Sequence, residues 1–193
     1  MRDTKEKFAE ALKELMKHKP LEKISVKDIV EHSDSTRQTF YRHFMDKYDL
    51  VNWVFEQLAD KSFRQMGISY TLKEGLMKKF NFILEERTFF SQAFACDCQN
   101  SIKTYDYECI YQFYRNIIIQ KTHEELSHDI EFLLSMYCRG SIDKTVEWAT
   151  GGMERSPDEI TDLLIQALPD RLKELLSDLQ QRPLRKNTQD VTL

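Results

Sequence analysis

Apolar residues recur along this chain at intervals of three and four, the spacing of one buried helix face, and no alternating strand pattern persists. Phe8, Ala11, Leu12 and Leu15 form the first stripe behind an Asp3 or Thr4 cap, and Pro20 closes a helix expected to reach about His18. Ser25, with Asp28 three residues on, makes a capping-box pattern ahead of Val26, Ile29 and Val30. Ser33, Asp34 and Ser35 interrupt this second helix. Thr36 then caps a third, Arg37 to Phe44, whose apolar members are Phe40 and Phe44. Asp46 caps a longer helix carrying Val51, Val54, Phe55 and Leu58, expected to run to about Met66 and to stop at Gly67.

The same spacing continues. Thr71 opens a helix to about Arg87, with Leu72, Leu76, Phe80, Ile83 and Leu84 inward. Thr88 to Ala95 reads as a short apolar helix, and Asp97 to Lys103 as a polar loop. Thr104 opens a helix to about Lys121, dense in Tyr and Ile, and another is expected from about Glu124 to Ala149. The last begins S-P-D-E, with Ser156 as cap, Pro157 at the first helical position and Glu159 completing a capping box. Its apolar face runs from Ile160 to Leu179, and Pro169 predicts a kink or a split. The stretch from Arg182 has no period and is expected to be disordered.

The fold class that follows is all-α. Five Gly and four Pro among 193 residues agree with it. Twelve Phe, eight Tyr and two Trp make a bulky core that can enclose a cavity. The net charge of -4 does not advertise nucleic-acid binding, but its distribution is uneven. Residues 1–50 hold 11 Lys+Arg against 10 Asp+Glu, whereas the remainder holds 17 against 22. The start of the chain carries no secretory pattern, and no apolar run approaches a membrane span. A reducing cytoplasm is therefore expected, with Cys96, Cys98, Cys109 and Cys138 as free thiols. The C-x-C pair at 96 and 98 reads as small half-buried residues rather than a metal or redox site.

The candidate chemistry sits on the third helix. Phe40 and Phe44 can fix it, leaving Arg37, Gln38, Tyr41, Arg42 and His43 outward. Arg pairs bidentately with guanine and Gln with adenine, so such a helix suits a DNA major groove. Arg37, Gln38, Tyr41 and Arg42 are the expected base contacts, and Lys27, Thr39, His43 and Lys47 the expected phosphate contacts. No catalytic constellation, cofactor motif or metal-ligand set emerges, and no enzyme is expected. His123-Glu124-Glu125-Leu126-Ser127-His128 is not H-E-x-x-H, because histidines five apart stand about 500° around a helix. It reads as polar residues at a helix start.

The block T-R-Q-T-F-Y-R-H-F-M-D-K-Y-D-L, Thr36 to Leu50, resembles the S-R-x-T-F-Y-x-H-F-x-S-K-E-x-L pattern of the TetR family of bacterial transcriptional regulators. T-R-Q-T-F-Y followed by Y-D-L-V-N-W is similar to one branch of that family, that of the dihydroxyacetone-kinase operon activator. Two positions depart from the family pattern. Asp34 stands at the turn where Gly is usual, and Ser35 stands where an apolar residue is usual. Asp tolerates the left-handed backbone of a tight turn, though less well than Gly.

The resemblance implies a helix-turn-helix domain over residues 1–47, an effector-binding and dimerisation domain over 48–181, and a tail over 182–193. It also implies a homodimer on a near-palindromic operator, controlled by a small effector or a co-regulator protein. Repression is the family's common mode, whereas the branch resembled would activate and answer to a partner protein. The effector pocket would draw on Phe80, Phe89, Phe90, Phe94, Tyr107, Tyr111 and Tyr114, although these aromatics equally suit a filled core. The dimer interface would use the last two helices through Leu133, Tyr137, Gly140, Leu164, Leu168 and Leu172, with Gly140 and Ser141 allowing close approach. A helical protein-interaction module without specific DNA readout remains the alternative, supported by Asp34, Ser35 and the acidic total charge.

Overall fold

The computed structural model describes residues 3–96 and 101–180. Among them the regular structure is helical, in ten α-helices joined by short turns. The expected tail and residues 97–100, including Cys98, lie outside the described residues.

The N-terminal unit holds α1 (Thr4–Met16), α2 (Val26–His32) and α3 (Arg37–His43), with a 3-10 turn at Leu21–Lys23 between the first two. Each helix begins where a side chain accepts its orphan amides. Asp3 accepts from Lys5 N, Ser25 from Asp28 N with the full capping box, and Thr36 from Thr39 N. α4 (Lys47–Lys61) starts on Asp46, which accepts from Tyr48 N and Asp49 N, and it carries the chain into the C-terminal part.

α4 ends five residues before the expected Met66. Ser62 leaves helical geometry at φ -128°, ψ -104°, while its hydroxyl donates back to Leu58 O at 2.6 Å. That back-bond competes with continuation of the helix. A second 3-10 turn, Phe63–Gln65, and the left-handed Gly67 follow.

The C-terminal part comprises α5 (Leu72–Glu85), α6 (Arg87–Ala95), α7 (Ile102–Thr122), α8 (His128–Thr150), α9 (Pro157–Gln166) and α10 (Asp170–Leu175). α8 packs along α7 and over α6, α9 lies on α5, and α6 reaches back to α1. Two starts differ from expectation. α7 begins on a Ser101 cap, three residues before Thr104. α8 waits until Ser127, because His123 at φ 58° ends α7 and the intervening residues form no helix. Both histidines of the His123–His128 stretch are exposed at helix ends. Pro169 splits the last helix: α9 stops before it and α10 folds back toward α8, burying Leu168, Leu172 and Leu176.

Candidate nucleic-acid interface

The N-terminal core is aromatic. Phe8 of α1 meets Phe40 and Phe44 edge-on, with ring centroids 5.2 and 6.4 Å apart, and Trp53 of α4 stands 6.1 Å from Phe44. Phe8 and Phe40 are fully buried. Burying such a ring contributes roughly 1.5–3 kcal/mol, so the rotation of α3 about its own axis is set from inside. With Phe40 inward, Arg37, Gln38, Tyr41 and Arg42 face outward and are exposed. None of these four forms an ion pair or a side-chain hydrogen bond among the described residues. They make one continuous donor-rich surface, with Tyr41 57% exposed.

The turn before α3 carries the two departures from the resembled pattern. Asp34 takes the left-handed conformation at φ 50°, and Ser35 N closes the turn on Val30 O at 2.8 Å. Asp is one of the few residues besides Gly that visits this region at modest cost. The turn therefore closes tightly, with the exposed Asp34 carboxylate just ahead of α3.

The four expected phosphate contacts fall into two groups. Lys27 is exposed and held only by a 3.6 Å surface pair with Glu31, which contributes little and releases easily. Thr39 and His43 are half-buried on α3, the Thr39 hydroxyl 3.0 Å from that of Thr36. Lys47 differs. Its ammonium turns inward and meets Leu21 O at 2.7 Å, Glu22 O at 2.9 Å and Ile24 O at 2.8 Å. Met45, two residues beyond the end of α3, is an apolar side chain left 79% exposed beside this surface, which the sequence reading did not single out. Its only signal was an apolar residue between a helix end and the next cap.

The seven residues expected to line an effector pocket do not share one. Phe89, Phe90 and Phe94 interlock in α6, with adjacent centroids 5.1 and 6.0 Å apart, and belong to the filled core. Tyr107 and Tyr111 stack at 5.8 Å on the outer side of α7, where the Arg139 guanidinium lies 4.3 Å over the Tyr107 ring. Of the seven, Phe80 and Tyr114 line an interior void among the described residues, and it measures about 20 Å³. That holds little more than one water. Phe80 is edge-on to Trp148 at 5.3 Å, so these two rings fill the space between α5 and α8.

Beside that void lies an ion pair that sequence reasoning missed. Lys79 donates to both carboxylate oxygens of Asp106 at 2.8 and 2.7 Å, with side chains only 4% and 0% exposed. Burial raises the Asp106 pKa while Lys79 pulls it down, and burial prevails. The signal was legible: Lys79 falls three after Leu76 and four before Ile83, and Asp106 falls midway between Ile102 and Ile110. Each is a charge set within an apolar stripe. A second cluster ties α4 to α7, with Glu56 accepting from Arg64 and from the Tyr105 hydroxyl. Burial pushes the Glu56 carboxyl up, but these bonds outweigh it and hold it below the usual value of 4.5.

The expected dimer residues also divide. Leu168 and Leu172 are buried within the chain by the return of α10, and the Tyr137 hydroxyl donates to Leu164 O at 3.1 Å inside the same subunit. Leu133 is half-buried, and Gly140 faces open space. The apolar surface left uncovered on α8 and α9 is instead Phe132, Met136 and Leu163, exposed by 65%, 52% and 45%.

Residues 9–54 match the model described as bacterial regulatory proteins, tetR family, and residues 70–170 match that of a transcriptional regulator C-terminal region. Over 94 residues the chain is 29% identical to the HTH-type dhaKLM operon transcriptional activator DhaS of Lactococcus lactis subsp. lactis (strain IL1403). That stretch covers 49% of this chain and 50% of DhaS, so the match spans about half the length of this curated relative. Among solved structures, a dihydroxyacetone kinase operon activator DhaS superposes with a TM-score of 0.64 at 21% identity, covering 89% of this chain and 97% of that one. Thermus thermophilus FadR, a TetR-family transcriptional repressor in complex with lauroyl-CoA, gives 0.54 at 14% identity over 85% and 92%. Both structural likenesses concern the fold. Among the described residues no helix is long and apolar enough to cross a membrane.

Proposed function

The chain belongs to the TetR family of bacterial transcriptional regulators, and from that premise we propose that it reads a near-palindromic operator as a cytoplasmic homodimer. The observation that carries this reading is the face of α3, where four polar side chains stand exposed over two buried aromatics. Arg37, Gln38, Tyr41 and Arg42 contact base edges, and Lys27, Thr39 and His43 contact phosphates. Residues 1–47 form the reading domain, and residues 48–181 the dimerisation and control domain. The two reading helices of the dimer enter successive major grooves, about 34–36 Å apart. Dimerisation uses the uncovered apolar surface of Phe132, Met136 and Leu163 around the open Gly140.

Control by a protein partner is favoured over an interior small effector. The interior void of about 20 Å³ supports this reading, because a small ligand would first have to displace packed aromatic rings. The similarity to DhaS, an operon activator, supports activation as the direction of control. Selection from a random double-stranded DNA library with the purified protein tests the proposal. Enrichment of one near-palindrome is expected, and absence of any enriched sequence at every salt concentration would overturn operator reading by the chain alone.

A further inference from the structure

The turn between α1 and α2 is held from two sides. From α4, the Lys47 ammonium spends all three of its protons on the carbonyls of Leu21, Glu22 and Ile24, at 2.7, 2.9 and 2.8 Å. These carbonyls belong to the 3-10 turn Leu21–Lys23 and the residue that ends it; Leu21 O also accepts from Ile24 N at 3.1 Å, and carbonyl oxygens at such a turn carry partial negative charge. From α6, in the C-terminal part, the Gln92 amide grips the same place. Its Oε1 accepts from Leu21 N at 3.0 Å, and its Nε2 donates to Met16 O at 2.7 Å. Leu21 and Ile24 are each 1% exposed, so the clamped turn is anchored in the core. The turn leads directly into Ser25, which caps α2, and α2 packs against α3.

We propose that Gln92 and Lys47 are positioning residues for DNA reading, and that the Leu21–Ile24 turn is the joint through which α6 sets the orientation of α3. Lys47 then contributes nothing to phosphate neutralisation. Its three ammonium protons are taken up inside the protein, fastening the start of α4 to the start of α2. A displacement of α6 is passed through Gln92 to the turn, and through Lys47 to the two ends of the reading unit together. Two side chains on separate helices that hold one turn act as a unit, so removing either releases the same constraint.

The inference rests on operator reading, and its test separates the two. With the selected operator and a scrambled duplex, binding of wild type, Gln92→Leu, Lys47→Met and the double variant is measured by fluorescence anisotropy across a salt series. The assays run at a temperature where circular dichroism shows each variant folded. Each single variant is expected to lose roughly tenfold in operator affinity, with scrambled-duplex affinity and salt slope unchanged. The double variant is expected to lose little more than either single one. A Lys47→Met slope flattened by roughly two for the dimer, at about 0.9 per phosphate, would overturn the positioning role. So would an undiminished operator affinity in Gln92→Leu, which touches no DNA, or additive losses in the double variant. Amide exchange in the DNA-free protein gives an independent readout. Gln92→Leu is expected to speed exchange in α2 and α3 as well as in the turn. Faster exchange confined to the turn would overturn the joint whether or not an operator exists.

Discussion

The reading unit and the C-terminal part treat charge in opposite ways. In the first, Arg37 and Arg42 stand exposed without an ion pair among the described residues. In the second, Lys79 and Asp106 are sealed in the core against one another, and Glu56 is tied up by Arg64 and Tyr105. Charges left unpaired on a surface remain available to an outside partner, which in the proposed reading is DNA. Charges paired inside fix how two helices sit, and breaking one partner leaves the other stranded in a medium that solvates it poorly. The two regions are built on one plan of capped helices, and they differ in where their polar groups find partners.

The sharpest way to break this contrast is to strand a buried charge. Asp106→Asn leaves Lys79 without its counter-charge and is expected to cost about 3–5 kcal/mol, read as a lower urea midpoint. Replacing both, Lys79→Met with Asp106→Leu, should recover most of that loss. A single variant as stable as wild type would mean the pair is not desolvated.

The reading unit should fail by another route. Phe40→Ala removes a fully buried ring at the centre of an aromatic cluster and is expected to cost about 3–5 kcal/mol. Specific DNA binding should vanish with it, because α3 loses the contact that sets its rotation. Retained binding at full stability would contradict that role.

A smaller effect is expected at the apolar surface of α8 and α9. Phe132→Ser with Leu163→Ser should turn a dimer into a monomer in light scattering, with helicity kept. A monomeric wild type would remove the premise.

The smallest effect concerns Glu56. Its folded pKa is lowered, so its stabilising contribution is present above the ordinary value of 4.5 and is lost as pH falls through the lower folded value. The stability gap between wild type and Glu56→Gln should therefore narrow below about pH 4.5. A gap that widens with acid would reverse the sign assigned here.

What was legible in the sequence follows the same division. Caps act locally, so Ser25, Thr71 and Ser156 marked helix starts that the structure reproduces with full capping boxes. Phe40 and Phe44 declared the inner side of α3 through their spacing, and Pro169 declared the break that produces α10. Lys47 was not legible, because its partners are main-chain carbonyls, which every residue possesses. The aromatic residues after position 66 could not say whether they line a cavity or fill it, since both uses need the same side chains. Leu168 and Leu172, expected at a dimer interface, are buried within the chain instead, because a periodic apolar stripe does not reveal which side a broken helix folds back upon. Lys79 and Asp106 were legible in principle, as single charges interrupting apolar stripes at helical spacing.

The central claim is that the exposed face of α3 reads bases, and repeating the random-library selection with Arg37→Ala tests it most directly. Base preference should relax at one position in each half-site, with specific affinity weakened by roughly 1–3 kcal/mol and every other position kept. An enriched sequence identical to that of the wild type would contradict base reading by Arg37 and by the orientation of α3 on which it depends.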